Sequence, residues 1–167
     1  MDLSDSPAEA RLRHDLRAWL GDRLTAEWRA RYDAADAGGQ IVLLRQWQRD
    51  MHGAGFAARA WPTEYGGQDG SLNEQLIIFE ELAKADGPPD VFRIGVRIIA
   101  PMLMALGRED QKSFFLPGMA DGSFLWSQGF SEPGAGSDLA GLSTRAVKGD
   151  GGYLVNGQKV WNTLGQH

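Results

Sequence analysis

The apolar residues of this 167-residue chain keep one rhythm up to about residue 122 and another beyond it, and that change limits the fold more than any other feature. Upstream the rhythm is helical. Leu12, Leu16, Trp19, Leu20 and Leu24 fall on one face. Ser6-Pro7-Ala8-Glu9 opens the run with a cap hydroxyl, a proline at the first helical position and a glutamate three residues after the cap, the pattern of a capping box. Arg11, Arg13, Asp15 and Arg17 fall largely off that face and read as solvated charge. A second helical run over residues 41–51 carries Leu43, Leu44, Trp47 and Met51, with Gly53 and Gly55 to end it. A loop rich in aromatics and glycine follows, Ala60-Trp61-Pro62-Thr63-Glu64-Tyr65-Gly66-Gly67. Ser71-Leu72-Asn73-Glu74 is a second capping box, and its helix is expected to turn Leu72, Leu76, Phe79 and Leu82 to the core. Gly87-Pro88-Pro89 breaks that helix. Residues 91–106 are apolar enough for a central buried helix, kinked or split at Pro101, and residues 108–116 form a short fifth helix after Gly107.

Downstream the rhythm is that of strands and tight turns. Residues 124–130, 142–147 and 153–155 read as extended segments, with turns at Ser131-Glu132-Pro133-Gly134-Ala135-Gly136-Ser137-Asp138 and at Gly149-Asp150-Gly151-Gly152. Asn156-Gly157 is a strong hairpin signal for a type I′ turn, with residues 158–163 as the return strand. The fold class is therefore α+β: an all-helical part over residues 1–122, then the opening strands of a sheet over residues 123–167. Raw sheet edges are an aggregation hazard, so the expectation is the front part of a longer protein.

The chain carries 17 Lys and Arg against 22 Asp and Glu, a formal charge of −5, which argues against a general nucleic-acid binder. It has no cysteine, which removes disulfides, thiolate metal sites and cysteine nucleophiles. His14, His52 and His167 lack metal-ligand spacing. The N-terminus is acidic with no apolar core of a signal peptide, and no apolar run approaches the ~20 residues of a membrane span. The expected compartment is the cytoplasm.

Two segments carry candidate chemistry. The glycine-rich turn can be a surface turn between strands, or a nest of backbone N–H groups for an anionic or strongly hydrogen-bonding ligand. It fails G-x-G-x-x-G at Leu139, and neither a P-loop nor the G-x-S-x-G elbow of a serine hydrolase is present. Trp161 and Thr163 lie two apart, so on a strand they share a face. They can be a core tryptophan with a strand-forming threonine, or an indole that stacks on a planar ring beside a hydroxyl that bonds its edge. Glu80 and Glu81 point differently around a helix, and at least one is expected to be solvated. No Ser/His/Asp set or carboxylate dyad stands out.

Trp126-Ser127-Gln128-Gly129-Phe130-Ser131-Glu132-Pro133-Gly134-Ala135-Gly136-Ser137-Asp138-Leu139 resembles the signature of acyl-CoA dehydrogenases, and Asn156-Gly157-Gln158-Lys159-Val160-Trp161-Asn162-Thr163 resembles their second flavin-contacting segment. Trp61-Pro62-Thr63-Glu64-Tyr65-Gly66-Gly67 and the stretch ending Gly107-Arg108-Glu109-Asp110-Gln111-Lys112 are weaker matches. The resemblance implies an N-terminal helical domain (1–122) and an incomplete, barrel-like β-domain (123–167), truncated relative to the family. It implies FAD as cofactor and α,β-dehydrogenation of an acyl-CoA thioester, with hydride passing to flavin N5. Gln128, Phe130 and Ser131 would touch the isoalloxazine, with Phe130 and Ser131 on its pyrimidine side. Trp161 would pack on the ring, the Thr163 hydroxyl would approach N5, and Ser137 would contact the thioester arm or pantetheine. Gln128 stands where many relatives carry an aromatic residue. The family's catalytic carboxylate lies in a C-terminal helical domain, and none in this chain matches its motif, so the chain alone is expected to be inactive and to hold FAD weakly. An electron-transfer flavoprotein would be the electron acceptor, and a homo- or hetero-oligomer the assembly. The competing reading is a non-catalytic truncated subunit or remnant that scaffolds a partner chain.

Overall fold

A computed structural model describes residues 4–167, which divide after Leu125 into two compact units. Residues 1–3 of the acidic N-terminal stretch lie outside the described residues.

The first unit is helical: α1 (Pro7–Arg23), α2 (Ala26–Ala34), α3 (Ala37–Gly53), α4 (Leu72–Lys84), α5 (Ala100–Leu106) and α6 (Glu109–Ala120). Both expected capping boxes form. The Glu9 N–H donates to Ser6 Oγ at 3.3 Å while the Ser6 N–H donates to Glu9 Oε2 at 2.8 Å, and Ser71 and Glu74 repeat the exchange at 3.1 and 3.2 Å. Each cap contributes about 1 kcal/mol. The core holds Leu12, Leu16 and Leu20 of α1, Trp47 and Met51 of α3, and Ile77 and Ile78 of α4. Trp19 meets Trp47 edge-on at 5.0 Å and Phe56 at 5.6 Å, which closes one side of it.

Three features differ from the expectation. First, α4 is rotated: Ile77, Ile78 and Glu81 are buried, Leu72 and Leu76 are exposed, and Phe79 and Leu82 are half-buried. Its apolar residues surround most of the helix, so periodicity does not choose a face; the cations of α1 do. Arg17 Nε donates to Glu81 Oε2 at 2.6 Å and Arg13 Nη1 to Glu81 Oε1 at 2.6 Å, so Arg13 is not solvated charge but one end of a buried ion pair. Second, α2 was not expected. Thr25 caps it, accepting the Trp28 N–H at 3.1 Å, but it buries no residue fully and so leaves little periodic trace. Third, α6 runs through Pro117 to Ala120, past the expected end, burying Leu116, Met119 and Ala120.

The run at 91–106 splits where proline was expected to act. Residues Ile94–Ile99 form a π-helical turn, and the Ala100 N–H reaches back to the Gly95 carbonyl. Pro101, with no N–H to donate, then lies in the first turn of α5.

The second unit contains a two-stranded antiparallel sheet, β1 (Arg145–Gly149) with β2 (Gly152–Asn156), in the register Arg145↔Asn156 through Gly149↔Gly152. The turn is Asp150-Gly151, where Gly151 adopts φ +84°. The hairpin at Asn156-Gly157 does not form, and residues 124–130 and 158–163 are not strands. Gly157 serves a close approach instead: a Cβ there would sit 2.1 Å from Thr144 Oγ1. Two turn signals compete here, and the one flanked by five register-matched pairs wins. Among the described residues no helix is long and apolar enough to cross a membrane.

Candidate functional site

The two segments singled out by sequence lie side by side in the second unit. The Val160 N–H donates to the Ser131 carbonyl at 2.9 Å, and Lys159 Nζ donates to the Phe130 carbonyl at 2.9 Å. Gly129 allows the approach: a Cβ there would come within 3.1 Å of Lys159 Cγ and 3.2 Å of Asn162 Nδ2.

Glu132 locks this arrangement. It is buried, and its carboxylate accepts from the Ser143 N–H (2.7 Å), Ser143 Oγ (2.8 Å), the Thr144 N–H (2.9 Å) and Lys159 Nζ (2.9 Å). Hydrogen bonds from Thr144 and Ser143, with the Lys159 ammonium, hold its carboxyl far below the usual carboxylate range. Three stretches of chain thus converge on one carboxylate. Sequence reading missed Glu132 and Lys159 as site residues. Both lie inside the recognised motifs, but their role needs the fold.

Gln128 and Ser131 are half-buried beside this hub, and Thr163 is exposed. Phe130 shows 64% of its surface and Trp161 shows 88%. Trp161 holds φ +59° and Leu164 φ +62°, so the chain turns here instead of extending, and the same-face argument for Trp161 and Thr163 does not apply. A left-handed backbone at an exposed tryptophan is costly, and such outliers concentrate at functional sites. Ser137 is exposed beyond the Glu132–Ala135 turn, which is closed by bonds of 2.7 and 3.1 Å. Gly134 and Gly136 face open space.

This wall offers exposed aromatic faces beside polar groups. Ser131 and Thr163 present hydroxyls beside these faces, and among the described residues Ser127 Oγ is buried without a partner. Flat apolar faces flanked by hydroxyls fit a planar heterocycle with a polar rim, which is the chemistry of a flavin ring.

The first unit contains a cavity of about 500 Å³, lined among others by Trp47, Met51, Trp61, Phe79, Phe92 and Met104. Its size and lining suit a small organic ligand. Among the described residues, the buried carboxylates are Glu81 and Glu132. Hydrogen bonds from Arg17, and then from Arg13 and Lys84, outweigh burial and hold Glu81 at about 2.

Matches to known families agree with these features. The acyl-CoA dehydrogenase N-terminal domain matches residues 6–123 and the acyl-CoA dehydrogenase middle domain matches residues 127–167. The chain belongs to the acyl-CoA dehydrogenase family. Among its relatives, acyl-CoA dehydrogenase FadE26 of Mycobacterium tuberculosis is 40% identical over 168 residues, a match that covers 100% of this chain and 42% of that protein. The solved ChsE4-ChsE5 complex of Mycobacterium tuberculosis superposes with a TM-score of 0.79 at 40% identity, over 96% of this chain and 40% of that one. A steroid acyl-CoA dehydrogenase, Tcur3481-Tcur3483, gives 0.76 at 35% identity, over 96% of this chain and 41% of that one. The chain thus spans about two fifths of the length of these relatives.

Proposed function

We propose that the chain forms part of an FAD-dependent acyl-CoA dehydrogenase, with residues 1–122 as its helical domain and 123–167 as the start of its β-domain. The observation that carries this reading is the Val160–Ser131 hydrogen bond, which sets the Trp161 segment beside the Ser131 segment. Bound FAD would supply the acceptor for the hydride leaving the β carbon. The chain's own residues then bind and orient. Trp161 packs on the ring face, Phe130 and Gln128 border it, and the Ser131 and Thr163 hydroxyls donate to its polar rim. Such donors favour the ring as it gains charge. Ser137 meets the thioester arm or pantetheine of the acyl-CoA.

The cavity of the first unit takes the acyl group. The likeness to a steroid acyl-CoA dehydrogenase favours a bulky, rigid acyl group over a short chain. Removing the α proton requires a base, and the two buried carboxylates are unsuited: Glu81 and Glu132 are both held ionised by several donors, which leaves little driving force to accept a proton at neutral pH. Neither is therefore the base, which the family resemblance assigns to a C-terminal helical domain. Likeness to two complexes, each named for two chains, favours a hetero-oligomer, and an electron-transfer flavoprotein is the fitting acceptor of the electrons.

The test is a nuclear magnetic resonance titration of the 167-residue chain with FAD to about 1 mM, enough to detect a site worth only roughly 4 kcal/mol. The Trp161 indole and the amides of Gly129, Ser131 and Val160 should shift together. Shifts confined to other regions, or none, refute the flavin wall. A dye-linked assay of the chain alone with acyl-CoA should show no turnover; sustained turnover would refute the external base.

A further inference from the structure

A second cavity of about 340 Å³ adjoins the first, and the two share Phe79, Leu82, Pro88, Asp90 and Arg97 in their walls. The partition between them is polar: Asp90 and Arg97 stand in a mainly apolar lining whose other polar side chains are Gln48 and Gln75. Arg97 lies on the π-helical turn, a type of distortion that concentrates at functional sites. Its guanidinium stacks over the Phe79 ring, Cζ standing 4.0 Å from the centroid, and its Nη2 is paired with Asp90. Among the described residues Asp90 is its only polar partner, and with the side chain 44% exposed its other N–H donors remain open to water or to a ligand.

We infer that Arg97 is a specificity-determining residue that hydrogen-bonds a neutral oxygen, a ketone or hydroxyl, carried by a rigid apolar acyl group. The inference rests on the proposal that the larger cavity takes the acyl group. Such a group enters a mainly apolar space whose wall carries the Arg97 guanidinium. Asp90 already balances the guanidinium charge, so a ligand carboxylate at that end would face repulsion, whereas a neutral acceptor gains a donor without a new unpaired charge. Stacking on Phe79 holds the guanidinium plane, which limits the freedom lost when the bond forms. A flexible saturated chain has no oxygen to offer there and displaces water from the guanidinium without replacing its hydrogen bonds, which is how a polar subsite discriminates against apolar isosteres.

The experiment follows tryptophan fluorescence of the 167-residue chain, since Trp47 and Trp61 line the larger cavity. The probes are lithocholic acid, with one ring hydroxyl, and cholanic acid, which lacks it. The wild-type chain should bind lithocholic acid about tenfold more tightly, the lower range for a hydrogen bond from a charged donor at a partly exposed site. Arg97→Met should bring the two affinities to within about twofold and leave that for cholanic acid unchanged, while Arg97→Lys restores part of the preference. Equal wild-type affinities, or a preference that survives Arg97→Met, overturn the inference and leave the acyl cavity standing. If neither acid binds the wild-type chain, the cavity reading fails and the inference falls with it. The wild-type comparison needs no variant, so an unfolded Arg97→Met would not protect the claim.

Discussion

Replacing Glu81 by glutamine should loosen the joint between α1 and α4, and the size of the effect follows from the geometry. The carboxylate is 3% exposed and receives Arg17 Nε at 2.6 Å, Arg17 Nη2 at 3.1 Å, Arg13 Nη1 at 2.6 Å and Lys84 Nζ at 3.0 Å. Its folded value of about 2 lies below the ordinary 4.5. At about 1.4 kcal/mol for each tenfold change, that difference would correspond to roughly 3 kcal/mol without screening. Arg17 and Lys84 are each more than half exposed, so water screens part of this and about 2 kcal/mol is the better figure. For a chain of this size that is a fall of about 4–8 °C in the unfolding midpoint. The folded-state value is depressed, so the stabilisation is fully present above pH 4.5 and is lost as the pH falls towards 2. Thermal and urea unfolding followed by circular dichroism should therefore show a gap between wild type and Glu81→Gln that is constant near neutrality and closes between pH 4.5 and 2. Equal midpoints at pH 7, or a gap that stays constant through the acid range, would refute the argument.

Three further outcomes follow from named contacts. Glu132→Gln removes the charge that gathers Ser143, Thr144 and Lys159; amide hydrogen exchange at Val160 and Thr144 should quicken at neutral pH, and the difference from wild type should be constant above pH 4.5 and narrow progressively as the pH falls below it. Gly67→Ala places a Cβ 2.0 Å from the Trp61 carbonyl oxygen and should cost about 3 kcal/mol or more in urea unfolding, whereas Gly134→Ala, which meets open space, should stay within about 0.5 kcal/mol. Trp161→Gly relieves a left-handed backbone at a side chain that buries almost nothing; the second unit should gain up to about 1 kcal/mol while the FAD-induced shifts disappear.

What the sequence made legible was local chemistry. Ser6 and Ser71 announce their helices because a cap needs only four consecutive residues, and Leu12, Leu16 and Leu20 are inside because their spacing alone defines one face. The orientation of α4 was not legible, because it depends on Arg13 and Arg17 reaching Glu81 from 68 and 64 residues away. The hairpin was ambiguous for a related reason. Asp150-Gly151 and Asn156-Gly157 carry comparable turn chemistry, and only the pairing of Arg145–Gly149 with Gly152–Asn156 decides between them. At the candidate site the motif letters identified the two segments, and the fold brings them together. Their resemblance could not reveal that the chain bends at Trp161, since a positive φ at a tryptophan has no sequence signature.

Glu81 and Glu132 give one physical reason for both the stability and the chemistry. Each is a buried carboxylate that joins segments distant in sequence: α1 to α4 in the first unit, and the Ser131 region to Ser143, Thr144 and Lys159 in the second. A buried charge of this kind persists only when it is met by several donors, and the same donors remove its affinity for protons. Holding a fold together and abstracting a proton are therefore opposed demands on one carboxylate. A base for a carbon acid needs few donors and a value nearer neutrality. These two residues meet the first demand so fully that they are unsuited to the second, and the proposed dehydrogenation takes its base instead from the C-terminal helical domain that the family resemblance implies.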